Sequence, residues 1–370
     1  MIIGIMSMQR VENYGSYLQA YALKRIIENL GNNKVKFVDY KVEACVSDDE
    51  KIIKRSSLLK RALKMVSPKY RAWRDSQLRI GSTFGDFCYT YKHMWLPKLG
   101  VTERRTEQTQ VDLLIIGSDE VFNCTQSEQK VGFSRQLFGA DNKAKRLISY
   151  AASFGSTTFM RLNELSLQED VKLLLENFQS ISVRDKNSED IVKSLINIAP
   201  YRHLDPVLIY PFPEVDAIDV NMDNYMIVYA YADRLLNDEV IAIRKFAQKK
   251  SLRILTLGFW QPYSDDYVLA SPIEVLAYIK KARCIVTDTF HGTVFSIKYS
   301  VPFSVFVRDS NKNKVQDLLE NFNLCDRIAS TPDDLDSILE QPLPLSIPNT
   351  LTREMNKTQN YLRKELSLSE

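Results

Sequence analysis

The chain has 370 residues, 45% of them hydrophobic and 26% charged, enough apolar content for two domains of ordinary size with real cores. Lys and Arg outnumber Asp and Glu by only 49 to 46, which does not suggest a general nucleic-acid role. No apolar run reaches membrane-spanning length. Five scattered cysteines (45, 88, 124, 284, 325), with no Cys-x-x-Cys or His/Cys cluster, argue for reduced thiols in a cytoplasm rather than a disulfide framework or a metal site.

Residues 1–6 read as a strand, with no basic region or small-residue cleavage site before it, so no signal peptide is expected. A polar loop ends in Asn13-Tyr14-Gly15. Ser16 is expected to cap a helix with Leu18, Ala22, Ile26 and Leu30 on one face and Gly31 as its stop. Residues 35–40 form the next strand. This β–α–β start places a glycine-bearing loop above the first strand, a ligand position in such folds.

Residues 51–74 carry nine Lys or Arg and no acid, with apolar residues at roughly helical spacing broken by Pro68. The favoured reading is a solvated helical insertion that packs by its apolar stripe. The sharper one is peripheral contact with anionic lipid or a charged glycan.

A buried strand over 112–116 runs into Gly117-Ser118-Asp119-Glu120. Strands follow at 147–151 and 180–183, the second ending in Arg184-Asp185, with a helix at 164–178 between them. His203-Leu204-Asp205-Pro206 opens a Pro-rich linker to about residue 224. The alternation then restarts, with strands at 225–231 and 252–257 and a helix at 237–249. A helix capped by Ser271, with Pro272 at its first position, runs to about residue 281. The strand 284–286 leads through Asp288, Thr289, Phe290, His291 and Gly292 into a helix at 293–299 and a strand at 301–306. Helices at 314–322 and 350–366 close the chain.

Strand and helix alternate in both halves, so the expected fold is α/β, with two Rossmann-like domains facing across a cleft. The domains are placed at 1–210, with the basic insertion at about 45–105, and at 211–345, followed by a C-terminal helix at 346–370. His291 stands where a strand hands over to a helix, so the amides of Thr293 and Val294 are expected to favour an anion and Gly292 to admit it closely. Arg184, at a strand end, suits a carboxylate or phosphate. There is no phosphate loop, dinucleotide turn or Gly-x-Ser-x-Gly elbow, so ATP hydrolysis, hydride transfer and serine hydrolysis lose support.

The motifs, in their joint order, resemble those of the polysaccharide pyruvyl transferase family. They are Asn13-Tyr14-Gly15-Ser16, Gly117-Ser118-Asp119-Glu120-Val121-Phe122-Asn123, Ser149 to Gly155, Ser182-Val183-Arg184-Asp185, Leu204-Asp205-Pro206 and Asp288 to Thr293. Glu120 and Phe122 stand where the second motif usually carries Gln and Trp. The resemblance covers about residues 1–330.

It implies a GT-B-like fold in the cytoplasm, working at the inner membrane surface if its sugar acceptor is lipid-linked. It also implies transfer of the enolpyruvyl group of phosphoenolpyruvate to a sugar hydroxyl pair of a surface or capsular polysaccharide precursor, forming a pyruvate ketal. Phosphoenolpyruvate is then the donor substrate, with no cofactor, no metal and no nucleic-acid partner. His291 and Asp119 are the implied catalytic residues. Arg184, Thr289, Phe290, Gly292, Thr293 and Lys314 would bind the donor, and Asn13, Tyr14, Gly15, Ser118 and Asp288 would line the acceptor side or cleft. The alternatives are a nucleotide-sugar glycosyltransferase on the same plan, although the Glu-x7-Glu pair common in those enzymes is missing after Ser271, and a non-catalytic glycan-binding protein.

Overall fold

The computed structural model describes residues 1–46, 68–106, 110–126 and 131–367, with backbone only at 68–70. The first sheet comprises β1 (Ile2–Met6), β2 (Lys34–Phe37), β3 (Leu113–Asp119), β4 (Arg146–Ala152), β5 (Ser182–Val183) and β6 (Tyr201–Arg202), in the order β2-β1-β3-β4-β5-β6. The second comprises β7 (Tyr225–Tyr229), β8 (Arg253–Leu257), β9 (Asp266–Val268), β10 (Ile285–Thr287) and β11 (Phe303–Val305), in the order β11-β10-β7-β8-β9. Every pairing in both sheets is parallel. Helices cover both faces of such sheets, which is why β3 is buried along its whole length and reads as a continuous apolar run.

Several local expectations need correction. The first helix, Tyr14–Asn29, is capped by Asn13 rather than Ser16: Asn13 Oδ1 accepts the Gly15 N–H at 2.7 Å. It stops at Leu30 in a right-handed conformation, not at a left-handed glycine. The helix expected at 164–178 is two helices, Phe159–Glu164 and Gln168–Leu175, separated by Ser166 at φ +55°. Strands β6 and β9 are two and three residues long, too short to show a periodicity.

Of the basic stretch 51–74, residues 51–67 lie outside the described residues. The described residues resume in a helix, Pro68–Thr90. That helix leans on both domains. Phe87 packs edge-on against Tyr14 at 5.1 Å and against Phe259 at 6.4 Å, and Thr83 Oγ1 accepts the Trp260 N–H at 3.1 Å.

One apolar cluster runs without interruption from Ile3 and Leu18 through Phe212 to Phe295 and Phe303, so the two sheets share a core across their seam. The C-terminal helix, Ile347–Glu365, turns back onto the first domain. There Tyr361 OH donates to Ser149 O at 2.8 Å, and Arg146 pairs with Glu365 at 2.7 Å. Among the described residues, no helix is long and apolar enough to cross a membrane.

Candidate active site

The carboxyl ends of β3 and β5 bring Asp119 and Arg184 to the same edge of the first sheet, and β10 delivers His291 to the facing edge of the second. Between them stands Asp205, which follows β6 and caps the short helix Pro206–Ile209 by accepting the Val207 N–H at 3.0 Å. Its other oxygen, Oδ2, takes Arg184 Nη1 at 3.0 Å and faces His291 Nε2 at 3.7 Å, beyond hydrogen-bond length. A guanidinium and an imidazole from different domains thus converge on one buried carboxylate oxygen.

All three are nearly inaccessible: Asp205 is 1% exposed, Arg184 4% and His291 9%. Even so, His291 Nε2 and Arg184 Nε and Nη2 have no hydrogen-bond partner. Buried donors are normally satisfied, and leaving one unmade costs about 1–3 kcal/mol, so three together mark a place built for something absent.

Asp119 completes the group. Its Oδ2 accepts from Ser16 Oγ at 3.1 Å, and its Oδ1 lies 3.6 Å from Arg184 Nη2. It holds φ +83°, an unusual conformation for a side-chain-bearing residue, of a kind that clusters at functional sites. Burial works against the Arg184 cation, but Asp119 and Asp205 outweigh it and its pKa is raised. Burial likewise pushes the Asp205 carboxyl up, while His291 and Arg184 hold it below the ordinary carboxylate range. Arg184 also sits over the Phe290 ring, 4.2 Å from the centroid.

Lys314 reaches across the seam to pair with Glu120 and lies 5.7 Å from the Phe290 centroid. Burial raises the Glu120 carboxyl, but Lys314 and then Arg184 bring its pKa below normal. Glu120 is therefore a partner for Lys314 rather than an uncompensated negative charge.

Gly15 serves the imidazole. A Cβ added there would fall 2.1 Å from His291 Cγ, so the first helix can approach the ring only without a side chain. Gly15→Ala is expected to displace the ring and lower turnover by at least about tenfold, the size of effect produced by small misplacements of reacting groups. The folded state should persist. The check is steady-state rate beside thermal melting: a variant with wild-type turnover would show that the close approach has no catalytic role.

Several expected site residues have other work. Gly292 is not opened for a ligand: its added Cβ would meet Thr287 Oγ1 at 2.1 Å, so the glycine lets the helix seat on β10. The helix Phe290–Lys298 is capped by Thr289, whose Oγ1 accepts the Gly292 N–H at 2.9 Å. The Thr293 amide and hydroxyl both bond Thr289 O, at 3.3 and 3.1 Å, so that amide is not free for an anion. Thr289, Gly292 and Thr293 therefore position His291 from behind.

Ser118 donates to Gln19 Oε1 at 3.1 Å and is wholly buried. Tyr14 OH donates to Ala270 O at 2.6 Å, tying the domains together. Asn13 Nδ2 bonds Tyr231 OH at 3.0 Å across the same seam. Asp288 turns away into its own domain. Its Oδ2 lies 2.8 Å from Arg234 Nε, an ion pair without hydrogen-bond alignment, and 3.7 Å from Arg308 Nε. Burial raises its pKa, with Arg234 and Arg308 pulling the other way.

Asp205 was missed as a site residue, although Asp-Pro at a helix start is a legible cap signal. No group of His, Cys, Asp and Glu suited to a metal occurs among the described residues.

The sequence model of a family described as polysaccharide pyruvyl transferase matches residues 13–310. No curated protein matches the chain. Among solved structures, the S. aureus MnaA–UDP co-structure superposes with a TM-score of 0.50 at 11% identity, covering 100% of this chain and 97% of that one. A putative UDP-N-acetylglucosamine 2-epimerase from Listeria monocytogenes gives 0.49 at 8%, covering 98% and 96%. The UDP-GlcNAc 2-epimerase from Methanocaldococcus jannaschii gives 0.49 at 10%, covering 98% and 100%. At 11% identity the first of these speaks for the GT-B-like fold alone.

Proposed function

The chain belongs to the polysaccharide pyruvyl transferase family, and from that premise we propose that its donor is phosphoenolpyruvate and its product a pyruvate ketal on a pair of sugar hydroxyls. The observation that carries the reading is the set of buried, unpartnered donors on His291 and Arg184 converging on Asp205. A phosphate or carboxylate is the ligand class that satisfies such donors, and the guanidinium fork suits two oxygens at once.

In this reading Arg184 and Lys314 hold the donor's anionic groups. His291, protonated and steadied by Asp205, gives its proton to C3 of the enol. C2 becomes electron-poor and the first sugar hydroxyl adds to it, with Asp119 taking the hydroxyl proton. The C2–O bond to phosphate then breaks. The second hydroxyl adds at C2, and its proton leaves with the phosphate. One proton from the two hydroxyls replaces the one delivered to C3, so the balance is one donor and one diol in, one ketal and one inorganic phosphate out. The acceptor is a sugar of a polysaccharide precursor, free or lipid-linked.

The test is incubation with phosphoenolpyruvate and a panel of galactose, mannose and amino-sugar acceptors, read by mass and by released phosphate. A product heavier by one pyruvate ketal, with stoichiometric phosphate, is expected. Release of nucleotide from a sugar nucleotide instead would assign the chain to sugar transfer, and sugar affinity without turnover of either donor would make it a binding protein.

A further inference from the structure

Beside the reaction cluster, a cleft of about 160 Å³ opens between β6, the end of the helix Lys312–Asn321 and the C-terminal helix. Its walls include Arg184, Arg202, His203, Arg353 and Lys357, with Glu354 as the acidic residue among them. Of the cluster described above it shares Arg184 alone; Asp119, Glu120, Phe290, His291 and Lys314 do not line it. Four permanent cations therefore face one lining carboxylate. Arg202 is already committed to Asp317, at 2.8 and 2.6 Å, whereas Arg353 and Lys357 share Glu354 at 3.2 and 3.5 Å.

A second observation points the same way. His203 is 2% exposed, and its Nε2 has no hydrogen-bond partner. Its Nδ1 lies 2.7 Å from Ser182 Oγ, which already accepts the Ala151 N–H at 3.0 Å. With the serine proton directed to Nδ1, the ring proton stands on Nε2, near the Lys357 backbone. The wall of the cleft thus carries a buried ring, His203, whose Nε2 has no hydrogen-bond partner, while Arg353 and Lys357 form an exposed cationic rim. Such a combination calls for an acceptor with several oxygens and a negative charge.

We propose that this cleft is a second oxyanion site, taking a phosphate group that is either the free ion or the head of a phosphate ester. It is distinct from the place where the donor reacts, and it does not rest on the donor's identity. Because Arg184 belongs to both, an occupant here competes with Asp119 and Asp205 for the guanidinium, so filling the cleft alters the reaction cluster without touching His291.

The chain has three histidines, so His203 is easily distinguished in an NMR titration of protein labelled with ¹⁵N-histidine. Inorganic phosphate is expected to shift the His203 ring signals saturably. The shift should persist in His291→Ala and need about tenfold more phosphate in the Arg353→Ala/Lys357→Ala double variant, as expected for the loss of charge-assisted contacts. Both side chains are largely exposed, so the double variant should fold. Glu354→Gln should tighten binding. Methyl phosphate separates the sources: an equal response means that an ester is accepted, a null one that the site takes the free ion. The proposal is overturned if the His203 signals ignore phosphate, if the double variant titrates like the wild type, or if His291→Ala abolishes the shift.

Discussion

Replacing His291 by alanine is expected to reduce turnover by about 10²–10⁴-fold, the range over which a positioned acid–base group contributes. Stability should change much less. The ring packs against Phe290 at 5.4 Å and Phe295 at 6.0 Å, but its Nε2 makes no hydrogen bond. Truncation therefore leaves a modest void and no broken network, costing about 1–2 kcal/mol. It also relieves the crowding against Gly15. Turnover within a few-fold of wild type would remove His291 from the chemistry. A collapsed melting transition would show instead that the imidazole is a structural part, and His291→Gln, closer in volume, would then have to separate the two roles.

The second large effect is expected at Arg184. Arg184→Met keeps much of the side chain's length and removes its charge, leaving Asp205 and Asp119 buried without their shared cation. Breaking one partner out of a buried ion pair costs about 3–5 kcal/mol, so a large fall in melting temperature is expected along with loss of activity. The pH dependence identifies the cause. In the wild type, the Asp205 pKa is depressed, so it contributes stability above its unfolded pKa that is lost as pH falls through the lower folded value. In the variant the Arg184 contribution is gone. With His291 still lowering it and burial raising it, the Asp205 pKa moves up from its wild-type value. Part of the stability that the carboxylate contributes near neutrality is therefore lost, a loss that vanishes as pH falls and the carboxyl protonates in both proteins. The difference in unfolding free energy between the two proteins should therefore narrow on moving from neutral toward acidic pH. A gap that stays constant across that range would show that the variant suffers from lost packing rather than from an orphaned carboxylate.

Asp119, Arg184 and His291 could be picked out from the sequence for one physical reason. Each directly ends or follows an apolar run, and in a parallel sheet all such ends lie on one edge. The two-domain plan was legible from the same alternation. Asp288 shows where that logic fails, because a strand-end position does not say which way a side chain turns, and here Arg234 and Arg308 draw it inward. Asp205 follows a two-residue strand that has no pattern to read. Pairings such as Glu120 with Lys314, 194 residues apart, depend on how the domains meet, which no local signal encodes. The Thr293 amide was misjudged because it bonds the carbonyl of the capping Thr289.

The return of the last helix to the first domain has a mechanical consequence. The polypeptide crosses between the lobes twice, once after β6 and once before Ile347, so the second lobe is held at both ends like a door on two hinges. His291, 9% exposed, lies on the inner side of the seam between them. Any widening of that seam would have to part the Glu120–Lys314 and Arg202–Asp317 pairs as well as the shared apolar core.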